Sequence, residues 1–100
     1  MGPEAKIQKA VVQYAKSTSR GKILPVKAQA GRFGTGGYPD YTFYVIGGHA
    51  FFMEFKALGG KCTPRQLAQH DKLKALGFPV YVIDNARSGF EVIDAELRRL

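Results

Sequence analysis

Residues 35–56 read TGGYPDYTFYVIGGHAFFMEFK, two runs of aromatic and β-branched residues on either side of Gly47-Gly48. The pattern predicts an antiparallel hairpin, Asp40 to Ile46 paired with Ala50 to Lys56. Its anomaly is three charges, Asp40, Glu54 and Lys56, in an otherwise apolar segment. Opposed residues on paired strands point to the same face. A two-residue turn at Gly47-Gly48 would set Tyr41 opposite Glu54, turning Glu54 and Lys56 into the apolar face of Tyr41, Phe43 and Val45, where desolvating two charges is expensive. A three-residue loop, Gly47-Gly48-His49, with Ile46 opposite Ala50, sorts the faces instead. One then carries Tyr41, Phe43, Val45, Phe51, Met53 and Phe55; the other carries Asp40, Thr42, Glu54 and Lys56. In this register Asp40 stands opposite Lys56 and diagonal to Glu54, the diagonal spanning roughly 7 Å.

The flanking sequence supplies helices. From Pro3 to about Ser19 the residues Ile7, Ala10, Val11, Tyr14 and Ala15 recur at three- and four-residue spacing, with Pro3 at the first helical position. Lys22 to Ala30 alternates and predicts a strand with Leu24, Val26, Ala28 and Ala30 on one side; Pro25 favours an edge position. Thr63 and Pro64 open a second helix that runs to about Leu76 and stops at Gly77. Pro79 to Ile83 is a short apolar strand suited to a sheet interior. Asp84 to Gly89 is expected to turn, Phe90 to Ile93 to form a last strand, and Asp94 to cap a short terminal helix. The order is α-β-β-β-α-β with a β-α tail, an α/β fold in a single domain, 1–100.

The chain of 100 residues holds 15 Lys and Arg against 8 Asp and Glu, a formal charge of +7 that favours a polyanionic partner, nucleic acid above all. The basic residues are spread rather than packed beside an apolar anchor, and no apolar run is long enough to span a bilayer, so no membrane role is expected. The start, MGPEAKIQKA, lacks a secretory pattern, and the single cysteine, Cys62, admits no internal disulfide. A cytoplasmic setting follows as the expectation.

On the charged face, two converging carboxylates repel each other unless a proton or cation lies between them, and oxygen ligands select hard ions such as Mg²⁺ or Mn²⁺. A lysine two residues beyond Glu54 lies on the same strand face, where it can balance charge developing on a phosphate. These are the parts for metal-assisted phosphodiester hydrolysis, with no organic cofactor.

Pro39-Asp40, thirteen intervening residues and Glu54-Phe55-Lys56 resemble the PD-(D/E)xK signature of many nucleases. More narrowly, Gly36-Gly37-Tyr38-Pro39-Asp40, Glu54-Phe55-Lys56 and Thr63-Pro64-Arg65-Gln66 at a helix start resemble the virus-type replication-repair nuclease (VRR-NUC) domain, over Glu4 to about Ile83. The resemblance implies a restriction-endonuclease-like core with a mixed central sheet flanked by helices. It implies Asp40 and Glu54 as metal ligands with the Phe55 carbonyl, Lys56 as the catalytic lysine, and Glu4 and Gln66 around the same site. It further implies a compact homodimeric endonuclease of phage or bacterial type, related to Holliday-junction resolvases and acting on branched DNA. Two alternatives stay open: a basic module that binds nucleic acid without cutting it, and a nuclease acting on flap or nicked DNA or on RNA.

Bland readings stand beside these. Asp40 after Pro39 also suits turn chemistry, Glu4 suits a helix first turn, and Thr63 with Gln66 reads as a capping box. Lys27, Arg32 and Lys61 are candidates for phosphate contacts, and Gly36 and Gly37 for letting a DNA backbone approach Asp40. Tyr38 either stacks on a base or packs on the sheet. His49 and His70 have no partner at metal-ligand spacing and are expected in a turn and on a helix surface.

Overall fold

The computed structural model describes residues 1–28 and 36–100. The elements are α1 (Pro3–Ser19), β1 (Ile23–Lys27), β2 (Tyr41–Val45), β3 (His49–Phe55), α2 (Pro64–Ala75), β4 (Val80–Ile83) and α3 (Ala86–Arg98). The four strands form one mixed sheet in the order β1-β2-β3-β4: β1, β2 and β3 run antiparallel, and β4 runs parallel to β3 after the α2 crossover. Among the described residues no helix is long and apolar enough to cross a membrane.

The hairpin register is Tyr41↔Met53, Phe43↔Phe51 and Val45↔His49. The loop therefore has three residues, as expected, but they are Ile46-Gly47-Gly48 rather than Gly47-Gly48-His49. Gly47 and Gly48 take φ of 93° and 82°, a left-handed pair that only glycine adopts without strain, and His49 is freed to begin β3. The pairing has moved two residues from the expected one. A shift of two preserves every side chain's face, whereas a shift of one would reverse them all. The six apolar residues accordingly share the core face, and continuing the register sets Asp40 opposite Glu54 rather than opposite Lys56.

That core face is closed by α1 and α3. Phe43 and Phe51 stack at 4.9 Å, and around them Val11, Val12, Ala15, Ile23, Val45, Met53, Phe55, Ile83 and Ile93 are buried together. Tyr14 stacks on Phe90 at 4.4 Å and donates to Asp94 at 2.7 Å, tying the two helices.

Two expectations are corrected, those for β4 and for the tail, while the alternation expected in β1 holds and the structure adds which side faces inward. In β1, Ile23 pairs with Val45 and faces the core, while Leu24 and Val26 lie on the other face, 61% and 42% exposed; pairing with β2, not internal alternation, sets the phase. Pro25 does lie on an edge strand, and the Gln29-Ala30 end of the expected strand lies outside the described residues. β4 is an edge strand too, not interior, and Val82 is 46% exposed. The tail is not β-α but the single helix α3, begun by Asn85, whose side chain accepts the Ser88 N–H at 2.8 Å. Phe90 to Ile93 is a helical stretch, and Gly89 is not a turn residue: a Cβ there would collide with Val11 Cγ2, so glycine allows α3 to cross α1 closely.

Candidate active site

The site grows from the place where β2 and β3 part. Continuing the register beyond Tyr41↔Met53 sets Pro39 opposite Phe55, and proline has no N–H to give to the Phe55 carbonyl. The Lys56 N–H is committed to Ile83 O on the β4 side, so the N–H and carbonyl of Phe55 point to the β2 side. There the carboxylate of Asp40 accepts the Phe55 N–H at 2.7 Å. Pro39 is fully buried, and Asp40 still receives the Ala28 N–H on its own carbonyl at 2.8 Å, which keeps it at the edge of the sheet. The dipeptide thus ends the β2–β3 ladder and points a carboxylate and a backbone carbonyl at one spot.

Glu54 supplies the second carboxylate. It is 2% exposed and on the face opposite Phe55. Its carboxyl is pushed up to about 8. Burial is the main cause, followed by the charge of Asp40 and a hydrogen bond to Asp40 that a protonated Glu54 makes. Lys56 pulls in the other direction, and Glu4 adds a further upward push. Two carboxylates forced together at neutral pH hold one proton between them unless a cation takes its place.

α2 approaches Glu54 with its first two turns. Gln66 serves as cap and contact at once: its Oε1 accepts the Thr63 N–H at 2.9 Å, Thr63 Oγ1 accepts the Gln66 N–H at 3.2 Å, and its Nε2 donates to Glu54 Oε2 at 3.5 Å. The capping and site readings of Gln66 are therefore compatible. One turn on, His70 Nε2 lies 3.7 Å from Glu54 Oε1. Rather than lying on the helix surface, as its sequence context predicts, His70 is 2% exposed, and burial, with the charge of Lys74, holds its imidazole below its ordinary range. The four-residue spacing from Gln66 is the sequence signal for this placement, since i and i+4 share a helix face.

The structure brings Asp40, Glu54, Lys56 and Gln66 together and leaves Glu4, exposed on the first turn of α1, near enough for its charge to act on Glu54. Cys62 sits within electrostatic reach as well, and burial pushes its thiol up. Lys27 pairs with Tyr41 and so lies on the α1 side of the sheet, away from the carboxylates. Lys61 is exposed in the β3–α2 loop, and Arg32 lies outside the described residues. Tyr38 packs edge-on against Phe52 at 5.8 Å, the sheet-packing alternative, while remaining 39% exposed. Gly36 and Gly37 make room for protein rather than open space: a Cβ on Gly36 would meet the Arg65 guanidinium at 2.9 Å, and one on Gly37 would meet Arg65 O at 2.7 Å. The glycine pair lets the chain before Asp40 lie directly against the start of α2. His49 is in β3, not in the loop, 3.3 Å from the buried carboxylate of Glu96.

Among the described residues no group of three or more His, Cys, Asp or Glu side chains is placed to hold a metal ion. A cation here would draw on two carboxylates, the Phe55 carbonyl and water. That oxygen-only set suits a hard divalent ion, which keeps several waters, and the buried Oε1 of Glu54 has no hydrogen-bond partner among the described residues, so the carboxylate has acceptor capacity to spare. The residues present fit such an ion.

No family model matches the chain. A solved structure described as a VRR_NUC domain superposes with a TM-score of 0.78 over 94% of this chain and 97% of that one, at 24% identity. The chain therefore has the fold of that domain, as its sequence motifs lead one to expect. A protein of Acyrthosiphon pisum secondary endosymbiont phage 1, named "Putative nuclease p44", is 44% identical over 52 residues, which is 52% of this chain and 56% of that protein. The similarity thus spans about half the length of that relative.

Proposed function

We propose that this chain, built on the VRR_NUC fold, is a divalent-metal-dependent endonuclease that hydrolyses DNA phosphodiester bonds. The observation that carries the reading is the opposition of Asp40 and Glu54 at the point where Pro39 ends the ladder, with the Glu54 carboxyl pushed up to about 8 by burial and by its neighbour. A pair so arranged gains most from exchanging its shared proton for Mg²⁺ or Mn²⁺.

Asp40, Glu54 and the Phe55 carbonyl would hold the ion. When bound, it would supply positive charge to the scissile phosphate and activate water as the nucleophile. Lys56, on the same strand face as Glu54, places an ammonium where charge accumulates on the phosphate or where the attacking water must be aligned. Gln66 steadies Glu54 from α2, and Glu4 adds negative charge at the rim that favours a cation.

Substrate affinity is expected to come from unpaired basic charge. Arg99 is the one Lys or Arg side chain in an ion pair with a carboxylate among the described residues, so the other Lys and Arg side chains described are available to meet phosphates. Branched DNA and a homodimer complete the reading, since cutting two strands of a junction takes two sites and the domain holds one.

A cleavage panel of single-stranded, duplex, flap and four-way-junction DNA with Mg²⁺ and Mn²⁺ tests it. Cleavage of the junction, lost in Lys56→Ala while salt-sensitive binding persists, is the expected result. Binding without cleavage of any substrate in Mn²⁺ would leave a non-catalytic nucleic-acid module. A monomeric mass at micromolar concentration would remove the dimer.

A further inference from the structure

We propose that His70 is a positioning residue for Glu54, fixing one oxygen of that carboxylate so that its remaining lone pairs face Asp40 and a divalent cation; the inference rests on the nuclease reading above. His70 lies one turn beyond Gln66 on the same face of α2. The two side chains address different oxygens of one carboxylate, Gln66 Nε2 reaching Oε2 at 3.5 Å and His70 Nε2 facing Oε1 at 3.7 Å.

Burial gives the second contact its meaning. The His70 side chain is 2% exposed and that of Glu54 is 3% exposed. Among the described residues neither Glu54 Oε1 nor His70 Nε2 has a hydrogen-bond partner. Buried polar atoms left unpaired are costly, and these two face each other across a gap that a movement of about 1 Å converts into a hydrogen bond. With its one proton on Nε2, a neutral imidazole is a donor to Oε1. Each carboxylate oxygen keeps a second lone pair, so a grip from α2 leaves Glu54 able to ligate while removing its freedom to rotate away from Asp40. Orientation of a ligating carboxylate by such an outer partner is a general requirement of metal sites.

The arrangement also explains why a helix start is built so elaborately here. The capping box fixes the Gln66 side chain, the Gly37 contact with Arg65 O seats the first turn against the chain leading to Asp40, and His70 is thereby carried to Glu54. One helix thus holds Glu54 and packs against the chain leading to Asp40.

The test uses the full chain with His70→Leu, which removes the donor, and His70→Gln, whose amide can reach the same oxygen. Mn²⁺ affinity is read from the electron paramagnetic resonance signal of the free ion, cleavage is measured beside it, and thermal midpoints are taken in EDTA. His70→Leu is expected to weaken Mn²⁺ binding roughly ten- to a hundredfold without lowering the midpoint, and His70→Gln to recover most of the loss. If His70→Leu does not fold, His70→Met, unbranched and also without a donor, takes its place. Unchanged Mn²⁺ affinity in the donor-free variant of a wild type that cuts DNA overturns this inference alone. Equal weakening by Gln and by Leu or Met reduces His70 to a packing role and also overturns it. A wild type that neither binds Mn²⁺ nor cuts overturns the nuclease reading and this inference with it.

Discussion

The carboxylate of Asp40 accepts the backbone N–H of Phe55 at 2.7 Å, in the place where the residue opposite Phe55 is a proline. One side chain therefore serves both the sheet and the site, and two substitutions separate the roles. Asp40→Asn keeps an acceptor for the Phe55 N–H but removes the charge beside Glu54; its metal-free thermal midpoint at pH 8 is expected to equal or exceed that of the wild type, while cleavage falls by roughly a hundredfold or more. Asp40→Ala leaves the N–H unpaired and is expected to cost about 1–3 kcal/mol in addition. Chemical denaturation alongside cleavage assays distinguishes the two.

Gly37 and Arg65 make the contact that seats α2. Gly37 has φ of 88°, and a Cβ would stand 2.7 Å from Arg65 O, a backbone atom that cannot swing aside. Gly37→Ala is expected to lose about 1–3 kcal/mol of stability and to displace Gln66 from Glu54, lowering cleavage as well. An activity loss with no change in the unfolding midpoint would instead favour an open approach for DNA at this glycine.

Gly89 and Val11 set the crossing of α3 over α1, on the face away from the site. A methyl group added at Gly89 would collide with Val11 Cγ2. Gly89→Ala is therefore expected to destabilise by about 1–3 kcal/mol while the surviving folded protein keeps its cleavage rate per molecule. Val11→Ala in the same chain is expected to restore part of the stability, because it opens the space that the new methyl needs.

These contacts show what local sequence can and cannot reveal. The faces of the hairpin follow from keeping Glu54 and Lys56 off the face of six apolar side chains, which depends only on parity and so holds under a pairing shift of two residues; that Glu54 is buried on its own face, against α2, is not visible from the hairpin. The partner of Asp40 depends on which three residues form the loop, and that is decided by where two left-handed glycines are needed. Gly89 reads as a turn residue because the need for a small side chain comes from Val11, 78 positions away along the chain and invisible to any window of sequence. The inward side of β1 is hidden for a similar reason, since only the pairing of Ile23 with Val45 fixes that Leu24 and Val26 face outward. The carboxylate pair is legible from motif and face together, whereas the role of His70 emerges only once α2 is laid over Glu54.

The raised carboxyl of Glu54 gives a stability profile opposite to that of an ordinary salt-bridged acid. In the unfolded chain the group titrates near its ordinary value of 4.5, whereas in the folded, metal-free protein it holds its proton to about 8. Between those values the folded state binds more protons than the unfolded state, so stability falls as pH rises. The contribution is fully present below about 4.5 and is lost as pH passes through about 8. The Glu54 part of this profile is read as the difference between wild type and Glu54→Gln, which cannot ionise: in EDTA the wild-type midpoint is expected to fall relative to the variant between about pH 5 and pH 8.5, while the lowered imidazole of His70 acts in the opposite direction in both proteins. Saturating Mn²⁺ should flatten that relative fall, because an ion that replaces the shared proton stabilises the ionised pair and does so more strongly as pH rises. Wild-type and Glu54→Gln midpoints that run parallel over the same range in EDTA would show that Asp40 and Glu54 are not coupled in this way.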